Sequence, residues 1–196
     1  MTLRVQRFAT HQRMPWRNGG GVTYEIARRP DHGEFDWRIS IAEVAASGAF
    51  SSFPGIDRVI MLVDGTEMVL TVNGDRHRLH PLEPFAFDGG ADTVGEVAAP
   101  TRDLNVMTRR GRATAEFGVL RTAEDTPVQI DRADPLVLVG LAGTVAVSAV
   151  HERAELTPLD ALCWSDSPLT VRGAGTVAVV RIRPQVSPAD APAPPR

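Results

Sequence analysis

Apolar and polar residues alternate in short runs along most of this chain, and turn residues bound the runs. Residues 37–44 show the pattern: Trp37, Ile39 and Ile41 fall on one side of an extended chain, and Arg38, Ser40 and Ala42 on the other. The same reading predicts strands over residues 22–28, 37–44, 59–63, 67–72, 76–79, 104–108, 115–120, 135–140, 144–150 and 176–183. Turn chemistry separates them at Asp64-Gly65, Asn73-Gly74-Asp75, Asp88-Gly89-Gly90 and Arg172-Gly173-Ala174-Gly175. Residues 30–33 and 123–134 read as freer loops, and helix signals are poor throughout.

Part of this pattern occurs twice. Val59-Ile60-Met61-Leu62-Val63-Asp64-Gly65 is echoed by Leu136-Val137-Leu138-Val139-Gly140-Leu141-Ala142-Gly143. Pro81-Leu82-Glu83-Pro84-Phe85 returns 77 residues later as Pro158-Leu159-Asp160-Ala161-Leu162. Both copies run apolar strand, glycine turn, apolar strand, polar strand, then Pro-Leu-acid and an aromatic end. Such a series suits a barrel or jelly-roll half of the cupin kind, in which paired antiparallel sheets protect their edges and enclose a cavity. Two copies predict an all-β bicupin, two related halves in one chain. The expected division is 1–120, 121–183 with strands exchanged between the halves, and a disordered Pro/Ala tail over 184–196.

Composition narrows the chemistry. The formal charge is -3 from 21 basic and 24 acidic residues, which gives no basic footprint for nucleic acid. Every basic residue is Arg, so Schiff-base chemistry and a P-loop lysine are excluded. Cys163 is the single cysteine and lies in an apolar run, where it reads as a small buried hydrophobe in a reducing compartment. The start lacks a long apolar segment and no run reaches membrane length, so a cytoplasmic protein without membrane contact is expected.

The polar motifs crowd into the first 110 residues. Three glycines follow Pro15-Trp16-Arg17-Asn18 and permit a turn or a close backbone approach. Arg38 and Ser40 share a strand face, as do Thr23 and Glu25, and a Glu25–Arg38 cross-strand pair is the structural explanation of both charges. Phe50-Ser51-Ser52-Phe53-Pro54-Gly55-Ile56 delivers Asp57 and Arg58 to the next strand. Asp103, Asn105, Met107 and Arg109 lie on one side of another. If these segments converge, their guanidinium forks suit a carboxylate, which each can bond through two nitrogens.

Those four segments, PWRNGGGVTYEI, FDWRISIAEV, FSSFPGIDR and RDLNVMTRR, resemble in order and spacing the motifs of the HutD/Ves family, over residues 3–183. The resemblance implies a bicupin of the RmlC-like jelly-roll kind with no established catalysis, associated with histidine utilisation. It implies binding of a small anionic metabolite such as N-formylglutamate, which moderates histidine or amino-acid catabolism. Cupins that catalyse hold a metal through three His and one Glu. Here His77 and His80 fall on opposite strand faces, and His11, His32 and His151 are scattered, so a metal-free protein without cofactor is expected. The expected ligand-binding residues are Arg38, Arg58, Asn18, Ser40, Asn105 and Arg109. Trp16 and Trp37 serve as walls or core, and Glu25, Asp57 and Asp103 hold the arginines. Two other readings stand beside this one. The first is an isomerase or hydrolase of a small acid using Glu25 or Asp103 as base, and the second is an interaction module without ligand. Edge-strand pairing makes a homodimer the expected assembly.

Overall fold

The computed structural model describes residues 3–16, 19–133 and 135–185. Apart from one 3-10 turn at Phe8–Thr10, its regular elements are strands, all paired antiparallel within four sheets. A six-stranded sheet runs Gln12–Pro15, Gly21–Arg29, Trp37–Val44, Thr101–Arg109, Ile56–Asp64, Phe85–Asp88 in spatial order. A four-stranded sheet of Gly48–Ala49, Thr93–Glu96, Met68–Val72 and Asp75–Leu79 faces it. A five-stranded sheet and a second four-stranded sheet form a corresponding pair from the later chain, Leu136–Gly143 and Gly175–Pro184 being central.

Alternation explains why the two central sheets stack. Trp37, Ile39, Ile41, Leu104 and Val106 point from the six-stranded sheet onto Val137, Val139, Ala178, Val180 and Ile182 of the five-stranded sheet, forming one apolar layer. Leu136, Leu138, Val177 and Val179 point the other way, against Val145, Val147, Leu156, Leu169 and Val171. The space between the later pair of sheets is thus filled. Between the earlier pair, Ile60, Leu62, Met68, Leu70 and Leu79 fill only part of it. Strands sandwiched in this way are apolar on both faces, and six of the eight residues of Leu136–Gly143 are buried.

The 77-residue spacing of the sequence echo recurs in the backbone. Among the described residues, the non-glycine residues with positive φ are Asn73, Leu82, Val150 and Leu159, at 50°, 63°, 46° and 69°. They form two pairs, each separated by 77 residues (150 − 73 and 159 − 82). Left-handed leucine or valine is uncommon. Here it recurs at the spacing of the sequence echo. Leu82 N donates to Leu62 O at 2.9 Å, and Leu159 N to Gly140 O at 2.8 Å.

The chain start joins the later sheets, because Val5–Gln6 pairs with Ala161–Trp164. Position 120 falls inside Ala113–Thr122, a strand that pairs along its length with Gly175–Pro184. The loop expected over 123–134 contains the strand Val128–Ile130. Of the expected tail, Pro184 ends a strand and Gln185 N donates to Arg112 O at 2.7 Å; residues 186–196 lie outside the described residues. No helix among the described residues is long and apolar enough to cross a membrane.

Candidate functional site

Where apolar filling stops between the earlier pair of sheets, a cavity of about 460 Å³ remains. Strand register decides which side chains reach it. Asn105 lies opposite Ser40, Asp103 opposite Ala42, and Met107 between Arg38 on one neighbouring strand and Arg58 on the other. All of these line the cavity, with Thr23 and Trp16 at one side and Ala49, Phe50, Ser51 and Phe53 opposite. On the matching strand of the later pair, the inward positions are Val177 and Val179. Polar residues on the equivalent face are what distinguish the hollow pair from the filled one.

Arg58 is 4% exposed and its guanidinium lies 5.5, 5.6 and 5.0 Å from the ring centres of Phe50, Phe53 and Phe87. Stacking on three rings fixes the guanidinium while leaving its edge for an acceptor. Gly89 makes room for it: a β-carbon there would come within 3.1 Å of the Arg58 stem and 2.8 Å of Ile56 O. Burial, opposed by Asp103 and assisted by Arg38, brings the Arg58 pKa down to about 10, so it stays charged at neutral pH. Arg38 is held differently, its Nε donating to Glu25 Oε2 at 2.7 Å. The structural explanation of that pair therefore holds, yet Arg38 still borders the cavity.

Asp103 is 2% exposed, and burial, opposed by Arg58, pushes its carboxyl up to about 7. Neither of its oxygens has a hydrogen-bond partner among the described residues, nor do Arg58 Nε and Asn105 Oδ1. Leaving a buried polar group unsatisfied costs about 1–3 kcal/mol. Four such atoms beside one cavity are a concentrated expense for the empty protein. They can accept and donate, so a molecule carrying both functions would satisfy them.

Other expected site residues stand elsewhere. Trp37 is core, because alternation turns it onto the five-stranded sheet. Arg109, at the strand end, donates through Nε to Phe35 O at 3.0 Å and pairs with Glu34 at 3.3 Å, away from the cavity. Asp57 points opposite to Arg58 and pairs with Arg110 at 2.7 Å. Asn18 lies outside the described residues. Trp16 borders the cavity and donates through Nε1 to Thr23 Oγ1 at 2.8 Å. The third glycine of the run is a close approach, since a β-carbon on Gly21 would lie 2.3 Å from Glu43 O and 3.0 Å from the Trp16 ring. The phenylalanines around Arg58 are the part that sequence reasoning missed; only the Phe50–Phe53 spacing hinted at them.

Among the described residues, no group of three or more His, Cys, Asp or Glu side chains could hold a metal ion. His77 instead packs on Phe85, with ring centres 4.6 Å apart. Burial pushes the Cys163 thiol up to about 11, which suits a packing role and not a nucleophile.

Comparison with known proteins agrees with this architecture. The family model described as HutD matches residues 8–180. Protein Ves of Citrobacter koseri is 36% identical over 163 residues, covering 80% of each chain. An uncharacterized 21.2 kDa protein in the hutC 3' region of Pseudomonas putida is 41% identical over 111 residues, 54% of this chain and 57% of its own. The structure of HutD from Pseudomonas fluorescens superposes with a TM-score of 0.82 at 32% identity, over 94% of this chain and all of that one. A cupin 2 conserved barrel domain protein from Leptotrichia buccalis, only 6% identical, shares the fold at a TM-score of 0.66 over 93% of this chain and 98% of its own. The fold is all-β and cupin-like, and the chain belongs to the HutD family, with Ves proteins among its relatives.

Proposed function

We propose that this chain binds a small carboxylate-bearing metabolite in the cavity between its six-stranded sheet and the facing four-stranded sheet, without a metal. One observation carries the reading: Arg58, Asp103 and Asn105 are buried at the cavity with polar atoms that the described residues leave unsatisfied. A carboxylate would sit against the edge of Arg58 and the free nitrogens of Arg38, while Ser40, Asn105 and Asp103 would orient its other polar groups. The apolar filling of the later pair of sheets supports binding in the earlier pair, an arrangement in keeping with a bicupin of one hollow and one solid unit. A relative lying in the hutC 3' region of P. putida supports a ligand from histidine utilisation, for which N-formylglutamate is the candidate, and a role in moderating that catabolism.

The test is a thermal-shift titration with N-formyl-L-glutamate. At a hundredfold excess over Kd the native state gains about 2.7 kcal/mol, and the midpoint should rise for the parent and not for Arg58→Ala. An equal rise in both would remove Arg58 from the site.

A second reading has an observation of its own. A buried carboxyl at about 7 facing a cavity is suited to act as a general base, so turnover of a small acid through Asp103 is the competing function. NMR of the ligand during long incubation separates the two, since a binding protein returns it unchanged.

A further inference from the structure

The charges at the cavity come in two unlike pairs, and the inference drawn from them rests on the anion-binding reading above. Arg38 is bonded to Glu25, so that pair is neutral. Arg58 has Asp103 as the carboxylate neighbour that influences it, with no hydrogen bond joining their buried atoms. Asp103 is enclosed on the strands beside it by Ala42 and Leu62. The opposite wall, Ala49, Phe50, Ser51 and Phe53, is uncharged, and among the described residues Arg38 and Arg58 are the other titratable ones lining the cavity. The cavity's net charge among the described residues therefore follows Asp103: zero when it is ionised, one positive when it is protonated.

An ionised Asp103 offers only lone pairs, and so does the carboxylate of a ligand. They would repel each other across the same small space. A protonated Asp103 removes that repulsion, frees the whole Arg58 charge for the ligand and supplies an O–H donor. We propose that the site takes up one proton on Asp103 when a carboxylate ligand enters, so that affinity falls as the pH rises through neutrality.

Burial already holds the empty-site carboxyl at about 7, and an anion beside it raises that value further. Above the empty-site value each pH unit then weakens binding close to tenfold, and the loss from pH 6 to 8.5 approaches about 30-fold. Below pH 6 the affinity levels off, because Asp103 is protonated before the ligand arrives.

Isothermal titration of N-formyl-L-glutamate into the full chain tests this, since that ligand's own carboxylates stay ionised across the range. At pH 8 the binding heat should differ between HEPES and Tris by the ionisation heat of close to one proton, and Asp103→Asn should bind with a Kd independent of pH and buffer. Binding with no buffer-dependent heat would overturn the proton coupling and leave anion binding standing. Unchanged pH dependence in Asp103→Asn would overturn the assignment to this residue. Absence of binding at every pH from 6 to 8.5 would overturn the anion-binding reading and the coupling with it. Should the variant not fold, the buffer dependence of the parent decides alone.

Discussion

Replacing Asp103 by Asn should stabilise the unliganded protein at alkaline pH relative to acid pH, by an amount the structure allows to be worked out. The native chain holds the Asp103 proton more tightly than an unfolded chain does, with a pKa of about 7 against 3.8. Stability from that proton is complete below the ordinary carboxylate range and is lost as pH rises through about 7. At about 1.4 kcal/mol per tenfold, the full loss is about 4 kcal/mol, and more than half of it falls between pH 5 and pH 8. Asn cannot ionise, so the variant lacks this loss. Urea denaturation of parent and variant at both pH values gives four free energies. The stability difference between variant and parent should be larger at pH 8 by about 2–3 kcal/mol. Any steric cost of the amide, and the titration of other groups such as His11, cancels in that comparison. A change below about 0.5 kcal/mol would show that Asp103 is not desolvated, and would remove the reason for its place in the site.

Two further outcomes test the packing. Val150 has φ 46° and is 85% exposed, while the equivalent turn of the first copy carries Asn73; Val150→Asn should therefore raise stability by about 1 kcal/mol, read as a higher thermal midpoint. Gly140→Ala would place a β-carbon 2.2 Å from Thr157 O, backbone against strand, and should cost about 2–3 kcal/mol in the same measurement.

Long alternating segments were legible in the sequence because burial on a pleated sheet has a period of two. Trp37–Val44 matches its expected bounds, and Gly21–Arg29, Ile56–Asp64 and Thr101–Arg109 extend theirs by one to three residues at each end. The strands not foreseen include Phe85–Asp88, Thr93–Glu96, Glu152–Leu156 and Leu169–Arg172. Each is short and buries two residues at most, which leaves too little apolar signal. Val5–Gln6 could not be read locally, since its partner lies more than 150 residues away. At the site, alternation grouped Arg38 with Ser40, and Asp103 with Asn105 and Met107, but it could not say where a strand leaves the cavity; hence Arg109. Residue type alone suggested Asp57 among the carboxylates that hold the arginines; it holds Arg110 at the strand start and faces away from the cavity. The cluster of Phe50, Phe53 and Phe87 around Arg58 joins a loop to an edge strand, a contact that only the folded chain creates.

The most direct measurement is a crystal structure of the parent protein grown at pH 6 with saturating N-formyl-L-glutamate. Ligand density should fill the hollow between the earlier pair of sheets, with a carboxylate within hydrogen-bond distance of the Arg58 guanidinium and a polar atom on Asp103 or Asn105. Ligand seated elsewhere, or a saturated crystal whose hollow holds only water, would contradict the account.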